Sequence, residues 1–201
     1  MTERGELRRT PLYECHREAG ARLVPFAGWE MPVQYSGVIA EHRAVRTAAG
    51  LFDVSHMGEF RVAGSGAEAF LQGLTPNDVS KLTPGRAHYS ALLTEQGTYV
   101  DDLLIYRRGQ DEFLVVVNAA NVDGDFAWMA QRAGADVELE NLSDEYGLIA
   151  LQGPHALSIL APLTDTDLEA IRYYRFADGE VGGVPAILSR TGYTGEDGFE
   201  L

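Results

Sequence analysis

Two adjacent aspartates, Asp101 and Asp102, lie in an apolar run whose composition is typical of a β-strand. Since successive strand residues face opposite sides, the two carboxylates cannot form a proton-sharing pair, and Asp102 shares a face with Val100 and Tyr106. A short loop with a glycine precedes the strand and predicts a hairpin that places Tyr89 roughly opposite Asp102. A carboxylate between two phenols could orient a planar, N–H-rich ligand; alternatively, Asp102 caps the strand at a rim that faces water.

A second group of chemically active residues lies in the glycine-rich run at 189–201. Three glycines separate one apolar strand pattern from the start of another, which predicts a tight backbone turn. Such a turn would expose Tyr193 and direct Glu200 from the following strand. A solvated hairpin tip would explain the same glycines, so the run alone leaves both interpretations open.

The elements that would position these residues favour an α+β fold. Residues 53–139 show helix, three strands and a second helix, a unit with a core of its own. Within it, Asn118 ends a buried apolar strand, where its amide either meets a ligand or caps a turn. Near the N-terminus, Thr10 and Pro11 are typical of a helix start, with Thr10 as the N-cap and an apolar stripe facing inward. That predicted stripe consists of Leu12, Cys15 and Ala19.

The run Gly-Ser-Gly-Ala-Glu-Ala at 64–69 matches the loose form of a dinucleotide-binding fingerprint. A true fingerprint requires a second buried parallel strand and an acidic residue about twenty positions further on. Proline- and glycine-containing turns stand at that place instead. We therefore interpret the glycines as a turn from a strand into a helix.

Composition excludes several classes of protein. The 201 residues carry a net charge of −14, and nucleic-acid binding without sequence preference needs a basic surface. No apolar run approaches the roughly 18–20 residues that span a bilayer, and the N-terminus shows no apolar signal segment. A single cysteine excludes an internal disulfide bond and fits a reducing compartment. We expect a cytoplasmic protein without nucleic-acid or membrane partners.

Taken together, several segments resemble the glycine cleavage system T-protein, the tetrahydrofolate-dependent aminomethyltransferase, over essentially the whole chain. The resemblance depends on segments that occur in one order. They are Phe-Ala-Gly-Trp-x-Met-Pro-Val-Gln-Tyr at 26–35, Leu-Phe-Asp-Val-Ser-His-Met at 51–57, the hairpin strand at 97–103, Ala-Leu-Gln-Gly-Pro at 150–154, and the glycine-rich run at 189–201.

This resemblance implies a cloverleaf of three domains around a central folate channel. The chain would supply two interleaved α/β subdomains with antiparallel sheets. Residues 1–52 and 140–201 would form a discontinuous first domain, incomplete at its C-terminus, and residues 53–139 an inserted second domain. The family's C-terminal domain would lie beyond residue 201.

The resemblance also implies the reaction and its partners. An aminomethyl group arrives on the lipoyl arm of H-protein and gives 5,10-methylenetetrahydrofolate, ammonia and dihydrolipoyl H-protein, with no metal required. The catalytic aspartate of the family falls on Asp102. The folate- and substrate-binding positions fall on Glu200, Tyr89, Tyr106, Tyr193, Tyr174, Asn118 and Met57.

Two alternatives remain open from the sequence. One is a folate-binding relative of the same fold, such as the folate domain of a sarcosine or dimethylglycine oxidase. The other is a truncated, non-catalytic fragment of the same family that binds folate or a partner.

Overall fold

The structure is a computed structural model and describes residues 6–201. Over this range we number five α-helices and twelve β-strands, with short 3-10 turns at Val79–Lys81 and Ala161–Leu163. The helices are α1 (Tyr13–Glu18), α2 (Val38–Thr47), α3 (Ala67–Leu74), α4 (Val122–Ala130) and α5 (Ala156–Leu160). The strands are β1 (Arg22–Phe26), β2 (Trp29–Gln34), β3 (Gly50–Asp53), β4 (Gly58–Ala63), β5 (Arg86–Leu93), β6 (Tyr99–Arg107), β7 (Glu112–Val117), β8 (Glu138–Asn141), β9 (Ile149–Gln152), β10 (Phe176–Val181), β11 (Val184–Ser189) and β12 (Gly198–Glu200).

The strands form two five-stranded antiparallel sheets and one separate hairpin, β1–β2. The first sheet has the order β10-β11-β12-β9-β3, and the second has the order β5-β6-β7-β4-β8. Because β3 precedes the second sheet in sequence while β9 to β12 follow it, the two sheets are interleaved along the chain. The predicted α+β class with antiparallel sheets is confirmed. The domain division at 1–52, 53–139 and 140–201 stays a prediction; β8 lies across position 139 and pairs with β4 of the second sheet.

The second sheet separates two apolar clusters because its strands alternate. Leu103, Ile105 and Val115 face helices α3 and α4 and are at most 3% exposed. Leu104 and Tyr106 point the other way, into a cluster that also includes residues of the first-sheet region. Burial of each large apolar side chain contributes about 1.5–3 kcal/mol, so this second cluster holds the two sheets against each other. The face of β6 that carries Asp102 is therefore the face between the sheets.

The central hairpin forms as predicted, but its register differs from simple alternation. Ala91 lies opposite Asp102, and Tyr89 lies opposite Leu104. A bulge lets Leu93 pair with Tyr99 directly after Leu92 pairs with Asp101, so Val100 is an extra residue. The prediction that Val100 shares a face with Asp102 is wrong, since Val100 packs against the helix-side cluster.

The turn from β4 into α3 confirms the interpretation of the glycines at 64–69. Gly64 has a φ of +107°, and a Cβ there would lie 2.4 Å from the carbonyl oxygen of Asp136. The glycine is thus required by a close backbone approach within the fold, and the helix leads into an antiparallel sheet.

The predicted first helix is shorter than expected, and its cap is wrong. Helix α1 begins at Tyr13, and its buried residues are Tyr13 and His16, while Cys15 is exposed. Instead of capping the helix, the Thr10 hydroxyl donates to Asp53 Oδ2 at 2.6 Å, and His16 Nε2 lies 2.8 Å from the same oxygen. Burial opposes ionisation of Asp53, but these contacts outweigh it and lower the pKa of that carboxyl.

Candidate active site

Asp102 is held at both carboxylate oxygens by side chains from the neighbouring strands. The Tyr89 hydroxyl on β5 donates to Oδ2 at 2.9 Å, reaching diagonally across the hairpin. Asn118, directly after β7, places its Nδ2 3.1 Å from Oδ1 and 3.1 Å from the backbone oxygen of Asp102. Hydrogen bonding to Asp102 is the main cause of a raised pKa for Tyr89, so the phenol stays a donor. The carboxylate is half-buried and fixed in orientation by these contacts.

Glu200 forms the other end of the candidate site, on the last residue of β12. It is 3% exposed, and the Thr191 hydroxyl donates to its Oε2. Burial raises the pKa of Glu200, and the Thr191 hydrogen bond opposes that rise. Thr191 Oγ1 also lies 2.9 Å from Ser189 Oγ, and both hydroxyls lie 3.4 Å from Tyr106 Oη. Burial, followed by the charge of Glu200, raises the pKa of Tyr106, which therefore remains a neutral phenol.

Asp102 and Tyr106 lie on the same face of β6, four residues apart. At about 3.3 Å per strand residue their Cα atoms are separated by roughly 13 Å. Tyr106 contacts the Thr191 hydroxyl that donates to Glu200. Glu200 therefore lies near the Tyr106 end of this surface between the sheets, and Asp102 lies toward the other end. Such a spacing suits an extended ligand better than a compact one.

A cavity of about 540 Å³ adjoins the Glu200 end of this surface. Apolar side chains from both sheets form most of its wall, together with Tyr106, Ser189, Glu200 and Glu59. Glu59 lies opposite Val116 in the β4–β7 pair and is 3% exposed. Among residues 6–201 its Oε2 has no hydrogen-bond partner, and burial raises the pKa of Glu59 to about 8. The cavity thus has two buried carboxyl groups in otherwise apolar surroundings.

Sequence reasoning did not select Ser189, Thr191 or Glu59. Ser189 and Thr191 were inside the quoted glycine-rich run, where alternation places both on the side of Glu200. Glu59 is an acid within an apolar strand pattern, which is a usable signal for a buried functional group. No local pattern predicts that Tyr106 contacts residues more than 80 positions later in the chain.

The remaining predicted site residues are placed less tightly. Met57 and Tyr174 pack against the cluster that contains Tyr106. Tyr174 has a φ of +58°, and its ring meets that of Tyr173 edge-on at 4.7 Å. Tyr193 is 62% exposed and lines a separate groove of about 560 Å³ beside α2 and β3. Desolvation of the hydroxyl and then the charge of Glu200 raise the pKa of Tyr193.

Comparison with known proteins assigns the chain to a family. A family model described as the GCVT N-terminal domain matches residues 12–201. The chain belongs to the GCVT family. An aminomethyltransferase of Desulfitobacterium hafniense (strain Y51) is 59% identical to this GCVT domain over 197 residues, which are 98% of the chain and 54% of the relative. The aminomethyltransferase of Bacillus subtilis (strain 168) is 53% identical over 196 residues, with 97% and 54% covered.

A solved structure agrees with the GCVT assignment. The crystal structure of glycine cleavage system aminomethyltransferase T from Bartonella henselae matches with a TM-score of 0.89 at 40% identity. The match covers 97% of this chain and 53% of that one. The chain therefore spans about half the length of the curated relatives it matches, and its fold is that of the corresponding half of a GCVT protein.

Two features are absent from residues 6–201. Over that range, no helix combines the length and the hydrophobicity that crossing a bilayer would take. In the same described part of the GCVT chain, no group of three or more His, Cys, Asp or Glu side chains is arranged to hold a metal ion.

Proposed function

We propose that the chain carries the folate-side active site of a tetrahydrofolate-dependent aminomethyltransferase of the glycine cleavage system. The substrate would be an aminomethyl group on the lipoyl arm of H-protein, and the products 5,10-methylenetetrahydrofolate, ammonia and dihydrolipoyl H-protein. The observation that carries the proposal is the Asp102 carboxylate, which Tyr89 and Asn118 fix on the same face of β6 as Tyr106, a residue of the cavity wall. We propose a cytoplasmic location, where these substrates would meet.

The residues present fit a reduced folate. The cavity volume of about 540 Å³ lies in the range typical of small-molecule sites, and its walls are mainly apolar. Buried carboxyl groups at Glu200 and Glu59 would bind the N–H groups of an aminopyrimidine, which is a strong, charge-assisted arrangement where the carboxyl is ionised. Tyr106 in the cavity wall, together with Tyr89 and Tyr193 outside it, would pack on the rings of the folate while their hydroxyls hydrogen-bond.

Each side chain then has a defined task. Tetrahydrofolate supplies the nitrogen nucleophiles that accept the methylene as ammonia leaves. Asp102 orients those nitrogens and stabilises the positive charge that develops on them. Tyr89 and Asn118 keep the Asp102 carboxylate in the required orientation, so that little reorganisation is needed in the transition state. Apolar walls formed by Val116 and Leu148 would exclude water from the cavity.

The test is an exchange assay with lipoylated H-protein carrying the aminomethyl group and with tetrahydrofolate. It is run on this chain and on a form extended with the C-terminal half of the Desulfitobacterium hafniense relative. Release of ammonia with formation of methylenetetrahydrofolate in either form supports the proposal. Activity in the extended form alone assigns a necessary role to the added half.

The same assay separates the alternatives. Folate binding without ammonia release in both forms would support a non-catalytic folate-binding fragment and overturn the aminomethyltransferase. No folate binding in either form would overturn the folate site itself. Binding is followed by the quenching of tryptophan fluorescence with 5-formyltetrahydrofolate, a reduced folate stable enough for titration.

A further inference from the structure

A second buried aspartate lies behind the Asp102 site and has no role in the mechanism above. Asp125 is in the first turn of α4 and is 1% exposed. Its carboxyl is within hydrogen-bonding reach of Asp101, which is 8% exposed and faces away from Asp102 along β6. In the part of the chain that the structure describes, one oxygen of Asp125, Oδ2, has no other hydrogen-bond partner.

Asn118 joins this buried pair to the Asp102 carboxylate. Its Nδ2 lies 3.0 Å from Asp101 Oδ1 and 3.1 Å from Asp102 Oδ1, and its backbone N–H donates to Asp101 Oδ2 at 3.3 Å. The single amide group therefore bridges two carboxylates on opposite faces of one strand. Any movement of Asp101 moves the donor that orients Asp102.

The charges around the pair require a retained proton. Over residues 6–201, no lysine, arginine or histidine forms an ion pair with Asp101, Asp102 or Asp125. The charged groups that act on Asp125 are the other two aspartates, both on β6 and both negative. Two carboxylates in contact in a buried, cation-free site cannot both ionise without a large energetic cost.

Asp125 is the member of the pair that would hold this proton. Asp101 already accepts an N–H bond from Asn118 at each of its two oxygens. Within residues 6–201, Asp125 accepts none at Oδ2. Burial, then the hydrogen bond and charge of Asp101, raise the pKa of Asp125 to about 8. A protonated Asp125 can donate to Asp101 and hold it in place.

We propose that Asp125 is a positioning residue that keeps its proton, shares it with Asp101, and so fixes the Asn118 amide against the Asp102 carboxylate. The contribution to catalysis rests on the proposed function of Asp102. The shared proton and its effect on Asn118 are properties of the chain without any ligand. The two parts can therefore be tested separately.

The first test is NMR titration of the chain labelled with ¹³C at aspartate carboxyl carbons and with ¹⁵N at asparagine. We expect one carboxyl to titrate near pH 8 and the Asn118 side-chain amide to shift with the same midpoint. Both signals should be lost in Asp125→Asn and kept in Asp123→Asn, a matched control at an exposed position of the same turn. The proposal would be overturned if all aspartates titrated below about pH 6, or if the chemical shift of the Asn118 side-chain amide did not change near pH 8.

The second test measures the affinity for 5-formyltetrahydrofolate between pH 6 and pH 9. We expect the parent to lose at least tenfold in affinity above about pH 8, and Asp125→Asn, which keeps a donor to Asp101, to vary by less than threefold. Asp125→Leu should bind weakly at every pH. Equal pH profiles for the parent and Asp125→Asn would overturn the positioning role. No folate binding by a parent that shows both NMR transitions would refute the proposed function and leave the proton pair established.

Discussion

Asp102 and Glu200 are carboxyl groups on strands of different sheets, and their surroundings differ in kind. Asp102 is half-buried and receives hydrogen bonds at both oxygens, from Tyr89 and Asn118. Glu200 is 3% exposed, and its described donor is one hydroxyl, that of Thr191. Burial raises the pKa of Glu200, and the Thr191 hydroxyl opposes that rise. The same chemical group is thus fixed in orientation by two donors at one end of the surface, and is a buried acceptor with a raised pKa at the other.

Among substitutions that test this difference, we expect the largest loss of activity at Asp102. Asp102→Asn removes the negative charge but keeps the size, so we expect the rate in the extended, active form to fall by about 10²–10⁴-fold. The affinity for folate should change much less, because most of the proposed binding surface remains. Measurement of kcat and KM for methylenetetrahydrofolate formation checks this.

Glu95→Gln is the control for that substitution, because it removes an acid from the exposed tip of the same hairpin. It should leave both constants unchanged. A loss of less than threefold in Asp102→Asn would remove Asp102 from the chemistry.

The second effect concerns affinity at the Glu200 end. Hydrogen bonds to charged groups contribute about 1.5–3 kcal/mol, so Glu200→Ala should weaken the binding of 5-formyltetrahydrofolate by about 10- to 100-fold. Thr191→Val removes the donor that opposes the raised pKa of Glu200. Glu200 should therefore be protonated at a higher pH in that variant than in the parent. When the pH is lowered, the affinity of the variant for 5-formyltetrahydrofolate should begin to fall at a higher pH than that of the parent.

Fluorescence titration from pH 5 to pH 8 checks both variants. If Thr191→Val had the pH profile of the parent, the protonation of Glu200 would not control binding.

Local sequence patterns predicted the elements around Asp102, although not their exact register. The hairpin with a glycine turn, the alternation of β6 and the end of an apolar strand at Asn118 all follow from short-range patterns. The bulge at Val100 was missed because a single extra residue leaves the composition of the segment typical of a strand. It nevertheless changes which face of the sheet the neighbouring side chains occupy. The diagonal contact from Tyr89 depends on that register.

The Glu200 end was harder to predict because its contacts join distant parts of the chain. The hydroxyls of Tyr106 and Thr191 come within 3.4 Å across 85 positions, as a result of how the two sheets pack. Likewise, Thr10 was expected to cap a helix, but it hydrogen-bonds to Asp53 across 43 positions. Helix-capping propensity predicts a hydrogen bond to a nearby backbone N–H, whereas tertiary packing gave the Thr10 hydroxyl a distant partner.

Glu59 extends the comparison to a carboxyl that has no donor at Oε2. Burial raises the pKa of Glu59 to about 8, so between about pH 4.5 and pH 8 the folded state binds more protons than the unfolded state. Stability contributed by this site therefore falls as the pH rises through that window. Glu59→Gln removes the ionisation, and we expect it to raise stability relative to the parent by about 2–3 kcal/mol at pH 7, with little gain at pH 5.

Urea denaturation at the two pH values measures this difference. Glu145→Gln is the matched control, because Glu145 lines the same cavity at an exposed position and its substitution should leave the difference near zero. A gain for Glu59→Gln that is equal at both pH values would show that the carboxyl does not titrate in this range.

The smallest expected effect is at Tyr89, and it tests whether the Asp102 anion depends on its hydroxyl donor. Tyr89→Phe removes one hydrogen bond, which contributes about 0.5–1.5 kcal/mol, so the rate should fall by about threefold to tenfold. Tyr99→Phe, at a 71% exposed position of the same hairpin, should have no effect. Because the hydroxyl is proposed to act through Asp102, its removal should cost nothing further in an Asp102→Asn background. Additive losses in the double variant would instead mean that the Tyr89 hydroxyl bonds to the ligand and not through Asp102, and the orientation of Asp102 would then depend on Asn118 alone.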